Sequence, residues 1–194
     1  MDSAPPNPTE ARWLRLTGGL VVAAALAVIA GWVTNREGLV RWTPGGSFMV
    51  VNTAVCALVS GAGLLALTGG RWRVATACGA AVALFAAAVF TNIVLGLPLA
   101  LDELFWRHQW SEPPFPAGQM APNTAVAFAL VGAALVLQTR QRTGRWLLPI
   151  MGGVVAALAL VPLLSYLILA LSRGGTLVYR GMSLPTAASG WSAR

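Results

Sequence analysis

The sequence predicts an all-α integral membrane protein: about five transmembrane helices in helix–loop–helix repeats, with a short or incomplete sixth. Three observations point there. Of 194 residues, 57% are hydrophobic and only 10% are charged, against roughly 25% charge in ordinary soluble domains. Mean hydropathy is +0.71, and a soluble domain with so few charges would expose large sticky patches. All 8 tryptophans fall at or just beyond the ends of apolar runs, where amphipathic rings sit at the headgroup level of a bilayer.

The elements follow in order. Residues 1–10 are polar and proline-rich and do not read as a cleaved signal peptide, so the first apolar run is expected to remain as a helix. The runs cover residues 16–34, 48–68, 74–97, 120–139 and 146–171, and none contains Asp, Glu, Lys, Arg or His. Each is close to the ~20 residues that cross a hydrocarbon core. This divides the chain into a cytoplasmic tail (1–15), a helical membrane domain (16–172) and a C-terminal segment (173–194).

Arginine placement sets the orientation. Arg12, Arg15, Arg71, Arg73, Arg140, Arg142 and Arg145 flank one side, in short connections. Arg36, Arg41, Arg107, Arg173 and Arg180 flank the other, in longer loops that also hold Glu37, Asp102, Glu103 and Glu112. Positive charge in short loops marks the cytoplasmic side. The N-terminus is therefore expected inside, in a bacterial inner membrane, with residues 35–47, 98–119 and 172–181 outside.

The net charge of +7 does not indicate nucleic acid, because the arginines lie between apolar runs rather than on one face or stripe. Cys56 and Cys78 lie inside apolar runs and read as small packing residues. With a single histidine there is no Cys/His zinc cluster. Haem ligation and ion pumping usually need an ionisable or ligating side chain at depth, and the runs have none. No catalytic site, metal or cofactor is expected; bound lipid is. His108 shares its loop with Asp102 and Glu103, a candidate polar site for proton sensing or a metal.

A motif recurs. Pro44-Gly45 leading to Met49, Asn52, Thr53 and Ala54 reappears as Gly118 leading to Met120, Asn123, Thr124 and Ala125. A weaker copy runs from Gly181 through Met182 and Pro185 to Thr186-Ala187. Each copy opens a helix at the outer surface, where Asn and Thr can satisfy free N–H groups or hydrogen-bond across helices. Pro122 suits a first helical turn. The bland reading is a packing and capping device; the sharper one is an outer-surface ligand site formed by Met49, Asn52, Thr53, Met120, Asn123, Thr124, Met182 and Thr186. Three such units would need six helices, and the sixth would have only residues 182–194, about 20 Å long.

Gly31-Trp32 leading to Pro44-Gly45 and Met49, Asn52-Thr53-Ala54, and Leu101-Asp102-Glu103-Leu104-Phe105 leading to Gly118-Gln119-Met120-Ala121-Pro122-Asn123-Thr124-Ala125, carry a resemblance across most of residues 30–187. The chain resembles the membrane-embedded sensor region that precedes PAS, histidine-kinase and diguanylate-cyclase modules in bacterial signalling proteins. The resemblance implies a non-catalytic signal-input module, here without an output domain, acting through a kinase or cyclase partner. The alternative is an accessory subunit of a larger membrane complex, such as a photosynthetic or respiratory one. Both expect partners among membrane lipid and other membrane proteins, and no nucleic acid.

Overall fold

The computed structural model describes residues 8–41, 48–97, 101, 104–106, 118–138, 147, 149–160 and 164. Every regular element among them is helical. In chain order these are α1 (Pro8–Val33), a single turn α2 (Glu37–Val40), α3 (Val51–Thr68), α4 (Trp72–Leu95), α5 (Pro122–Gln138) and α6 (Pro149–Leu160).

Among the described residues three helices are long and apolar enough to cross a membrane: Ala11–Val33, Val51–Thr68 and Trp72–Leu95. The sequence had placed the first at 16–34; α1 begins earlier, with Pro8 in a first turn that needs no N–H from it. α5 is shorter than its apolar run. Ahead of Pro122 the backbone is biased away from the α region, so Met120 and Ala121 stay outside the helix. The remaining 17 residues rise about 26 Å, just under a ~30 Å core. α6 is likewise described over only part of the fifth run.

Three helices end in the same way. Beyond α1, α3 and α4, the N–H groups of Arg36, Arg71 and Leu97 reach back to the carbonyls of Gly31 (2.8 Å), Ala66 (2.9 Å) and Asn92 (3.1 Å). Asn35, Gly70 and Gly96 stand just before them at φ 55°, 69° and 59°. This is the Schellman closure, which satisfies terminal carbonyls through one left-handed residue. Glycine adopts it without strain, and asparagine is the side chain that tolerates it next best.

α3 lies in the middle, against α1, α4 and α5, while α4 and α5 pack closely together. Neighbours are antiparallel, so α1 and α4 finish, and α3 and α5 start, at one end of the bundle, called here the loop end. The opposite, turn end holds the tight Gly69–Arg71 connection between α3 and α4.

Glycine sets how closely the helices approach. A Cβ on Gly132 would lie 2.5 Å from the Gly79 carbonyl oxygen and 2.6 Å from the Ala83 nitrogen. A Cβ on Gly61 would meet Val22 Cγ2 at 2.8 Å and the Gly18 carbonyl oxygen at 3.0 Å. These are backbone-to-backbone crossings of α4 with α5 and of α1 with α3.

The distribution of side-chain size is the reverse of a soluble core. Ala25, Ala54, Ala75, Ala86 and Ala125 are fully buried, while Leu84 and Leu20 are 73% and 71% exposed and Val94, Leu95 and Ile150 face outward with them. In water that surface would drive aggregation. In lipid, large apolar residues gain nothing by facing inward, and close packing of small ones becomes the favourable contact.

Gly132→Ala is expected to destabilise by about 1–3 kcal/mol, the usual cost of overpacking a contact that cannot yield. Gly152→Ala, on α6 with open space around it, is expected to be neutral or to gain up to about 1 kcal/mol of helix propensity. Reversible SDS-driven unfolding in mixed micelles measures both.

Candidate functional site at the loop end of the helices

The recurring motif lies where the chain re-enters the bundle, and its two described copies are built differently. In the first, residues 48–50 run extended into α3, whose N-cap is Val50 at φ −68°, ψ 151°. Met49 donates its N–H to the Val40 carbonyl (3.1 Å) and accepts from Trp32 Nε1 at its own carbonyl (2.9 Å). The indole thus staples the end of α1 to the entry of α3. Val28, Trp32, Val40, Val51 and Ala54 form a buried cluster, with Phe48, Met49 and Trp106 packed on it.

α2 completes this cluster. A Cβ on Gly31 would lie 2.7 Å from Leu39 Cβ and 2.8 Å from Val40 Cγ2, so the turn folds directly onto the end of α1. Arg41, just after it, places its guanidinium 4.0 Å above the Phe48 ring and 3.5 Å from the Glu37 carboxylate. A stacked guanidinium of this kind contributes about 0.5–1 kcal/mol at an exposed site.

Asn52 is fully buried. Its side-chain amide donates to the Leu101 carbonyl at 2.8 Å, across 49 residues of chain. The N-cap residue Val50 makes no side-chain hydrogen bond, and Asn52 shows the second of its two expected roles, a bond across to another segment. The asparagine, inside the first turn, reaches sideways and gives the half-buried Leu101 a donor for its carbonyl. Thr53 is half-buried beside it.

In the second copy the roles change. Met120 is fully buried, in a cluster with Cys56, Val82, Val89 and Ala125. Asn123 is exposed and Thr124 half-buried. Leu101 packs against the same cluster, Leu104 N–H closes a turn onto its carbonyl (3.4 Å), and Phe105 meets Phe85 with ring centroids 5.5 Å apart.

Asp102, Glu103, His108, Met182 and Thr186 lie outside the described residues. The structure therefore unites Met49, Asn52 and Thr53 with Trp32, Arg41, Phe48 and Leu101, and leaves Asn123 exposed. Trp32 was read as an interfacial ring but is a buried one; Trp13 is exposed, as a belt residue would be. Sequence reasoning missed Arg41, Phe48 and the Leu101 carbonyl. Arg41 is four residues after Glu37, and that spacing was a readable signal; a backbone acceptor leaves none. Among the described residues no three His, Cys, Asp or Glu side chains gather to hold a metal.

The two motif asparagines should respond differently. Asn52→Ala, leaving the Leu101 carbonyl without its donor, is expected to cost about 1–3 kcal/mol. Asn123→Ala should stay within about 0.5 kcal/mol, as for exposed positions generally. Denaturation of the two variants in parallel decides; equal losses would contradict the burial difference.

Compared with known proteins, the chain matches no family model, no curated protein and no solved structure, so its function is argued from its own residues.

Proposed function

We propose that this chain is a non-catalytic multi-pass membrane protein acting as a signal-input module. It has five spans, its N-terminus on the cytoplasmic side of a bacterial inner membrane, and its loop end outside. The observation that carries this reading is the contrast between the two parts of the bundle. Polar and aromatic groups collect at the loop end around Trp32, Arg41, Phe48 and Asn52. The crossings beneath are close contacts of Gly and Ala with Val22, Leu65 and Leu135, with Ser60 as the one buried polar side chain in the middle of α3 among the described residues. Transporters and pumps place ionisable residues at depth, whereas a receptor of outside conditions needs chemistry only at its exposed end.

An internal repeat supports the same reading. Gly18, Ala25 and Val28 on α1 stand at one constant spacing from Gly79, Ala86 and Val89 on α4. Asn52, Ala54 and Gly61 on α3 stand at another from Asn123, Ala125 and Gly132 on α5. Ala25, Val28, Ala54, Ala86, Val89 and Ala125 are all fully buried, and both glycine pairs make the close crossing. The unit is a helix, an outer connection, the motif and a returning helix.

Topology is tested with single cysteines in a chain lacking Cys56 and Cys78. Gly38→Cys should react with a membrane-impermeant maleimide in intact spheroplasts, and Arg71→Cys only after permeabilisation. The opposite pattern inverts the orientation, and labelling of both from outside removes the alternating map. Function is tested by mild-detergent pull-down from native membranes. A kinase or cyclase partner supports signal input. Fixed stoichiometry with a respiratory or photosynthetic complex would replace it with the accessory-subunit reading.

A further inference from the structure

We infer that the turn end carries a docking site for an anionic phospholipid, whose phosphate meets Arg12 and whose acyl chains lie along Leu16 and Leu20 of α1. The inference goes beyond the signal-input reading. It needs α1 to cross a membrane and stands whether or not the chain receives a signal.

Arginines gather at this end. Arg12 and Arg15 are on α1, Arg71 caps the start of α4 and Arg73 is the second residue of α4, where a cation gains nothing from the helix dipole. Their common level follows from the α1–α3 crossing, in which Gly18 meets Gly61 and Leu65. Arg12 lies six residues before Gly18 and Arg71 six after Leu65, about 9 Å along the axis in each case. The two helices are antiparallel, so both arginines come to the same end. All four side chains are exposed, and among the described residues none of them forms an ion pair. Arg41 at the loop end is different, because Glu37 and Phe48 answer it. Glu10 is the acidic residue of the turn end among those described. The positive charge therefore has to be met from outside the protein, and anionic headgroups lie at that depth of a bilayer.

The order of residues along α1 selects a lipid over a small anion. Thr9, Arg12, Trp13 and Leu16 stand at helical spacing and line one open hollow. Leu20 continues the stripe, exposed like Trp13 and Leu16. Gly18, which meets α3, is on the other side of the helix, so the stripe looks away from α3. Read toward the middle of the bilayer, the stripe presents a hydroxyl and a guanidinium, then an indole, then two leucines. That is the polarity profile of a phospholipid: phosphate, ester zone and chain. Indole prefers the ester and headgroup zone, and the guanidinium fork suits phosphate oxygens. A free phosphate would use the arginine and leave the leucines idle.

The test uses the full-length protein in detergent micelles with equal amounts of phosphatidylglycerol and phosphatidylcholine, and native mass spectrometry counts the lipid retained on the protein. Phosphatidylglycerol is expected to be retained in preference. Arg12→Gln combined with Arg15→Gln is expected to lower its retention about tenfold or more, from about fivefold for each arginine beside an anionic headgroup. Trp13→Ala removes no charge and is expected to lower it about threefold or more, as loss of a few tens of Å² of apolar contact would. Arg36→Gln, exposed at the loop end, should leave it unchanged. Equal retention of the two lipids, unchanged retention in the arginine pair or in Trp13→Ala, an equal loss in Arg36→Gln, or displacement of the lipid by inorganic phosphate overturns the site. If the arginine pair does not insert, Trp13→Ala decides. None of these outcomes bears on the partner sought by pull-down, so the two readings fail separately.

Discussion

The arrangement depends on backbone meeting backbone where glycines cross. In lipid, transferring a leucine from the outside of a helix to the inside gains no hydrophobic energy, since its surroundings are hydrocarbon in both places. What remains is dispersion, which grows with the number of atoms at optimal separation. Gly79 against Gly132 and Gly18 against Gly61 bring whole backbones into that range. With α4 and α5 drawn together, Leu135 reaches the hollow beside Gly63 and α3 is enclosed by helices on several sides. Leucine and valine are left for the exterior, and Leu20, Leu84 and Val94 are found there.

Polar groups obey the complementary constraint. Away from water a carbonyl without a donor costs several kcal/mol, so irregular backbone near the membrane has to be answered by the protein itself. The Met49 carbonyl is answered by the Trp32 indole and the Leu101 carbonyl by the Asn52 amide. Both donors come from within a helix, one from the last turn of α1 and one from the first turn of α3. Each ties a connecting segment to a rigid element. The helix ends follow the same economy at α1, α3 and α4, where one left-handed residue returns an N–H to the preceding turn.

Much of this was legible in the chain. The apolar runs located α1, α3, α4 and α5 because length and lack of charge are sufficient for a helix in lipid. Proline marked the start of α5 because its effect is local. Gly61 and Gly79 are visible in the sequence as glycines inside apolar runs. Which glycine meets a partner is not, since Gly19 and Gly152 look the same in sequence and face open space. The same limit applied to the motif. Asn52 and Asn123 share neighbours along the chain, yet one is buried and one exposed. The difference is made by Leu101, which is distant in sequence and offers a backbone atom that no residue type announces.

On the two-unit reading proposed above, that asymmetry has a physical cause. At the loop end of the first unit stand two residues of the α4–α5 connection, Leu101 and Trp106. Stacked units bury their faces against their neighbours rather than against themselves, so an asparagine in the motif is a buried donor only where a following connection supplies a carbonyl. Met120 tells the converse: in the second unit the methionine fills the cluster, whereas Met49 lies half-buried beside the Trp32 staple. The motif therefore fixes where a helix begins and which polar group stands in its first turn, and the neighbouring unit decides what that group does. A site at this end of the molecule belongs to the junction between units, not to any one copy of the motif.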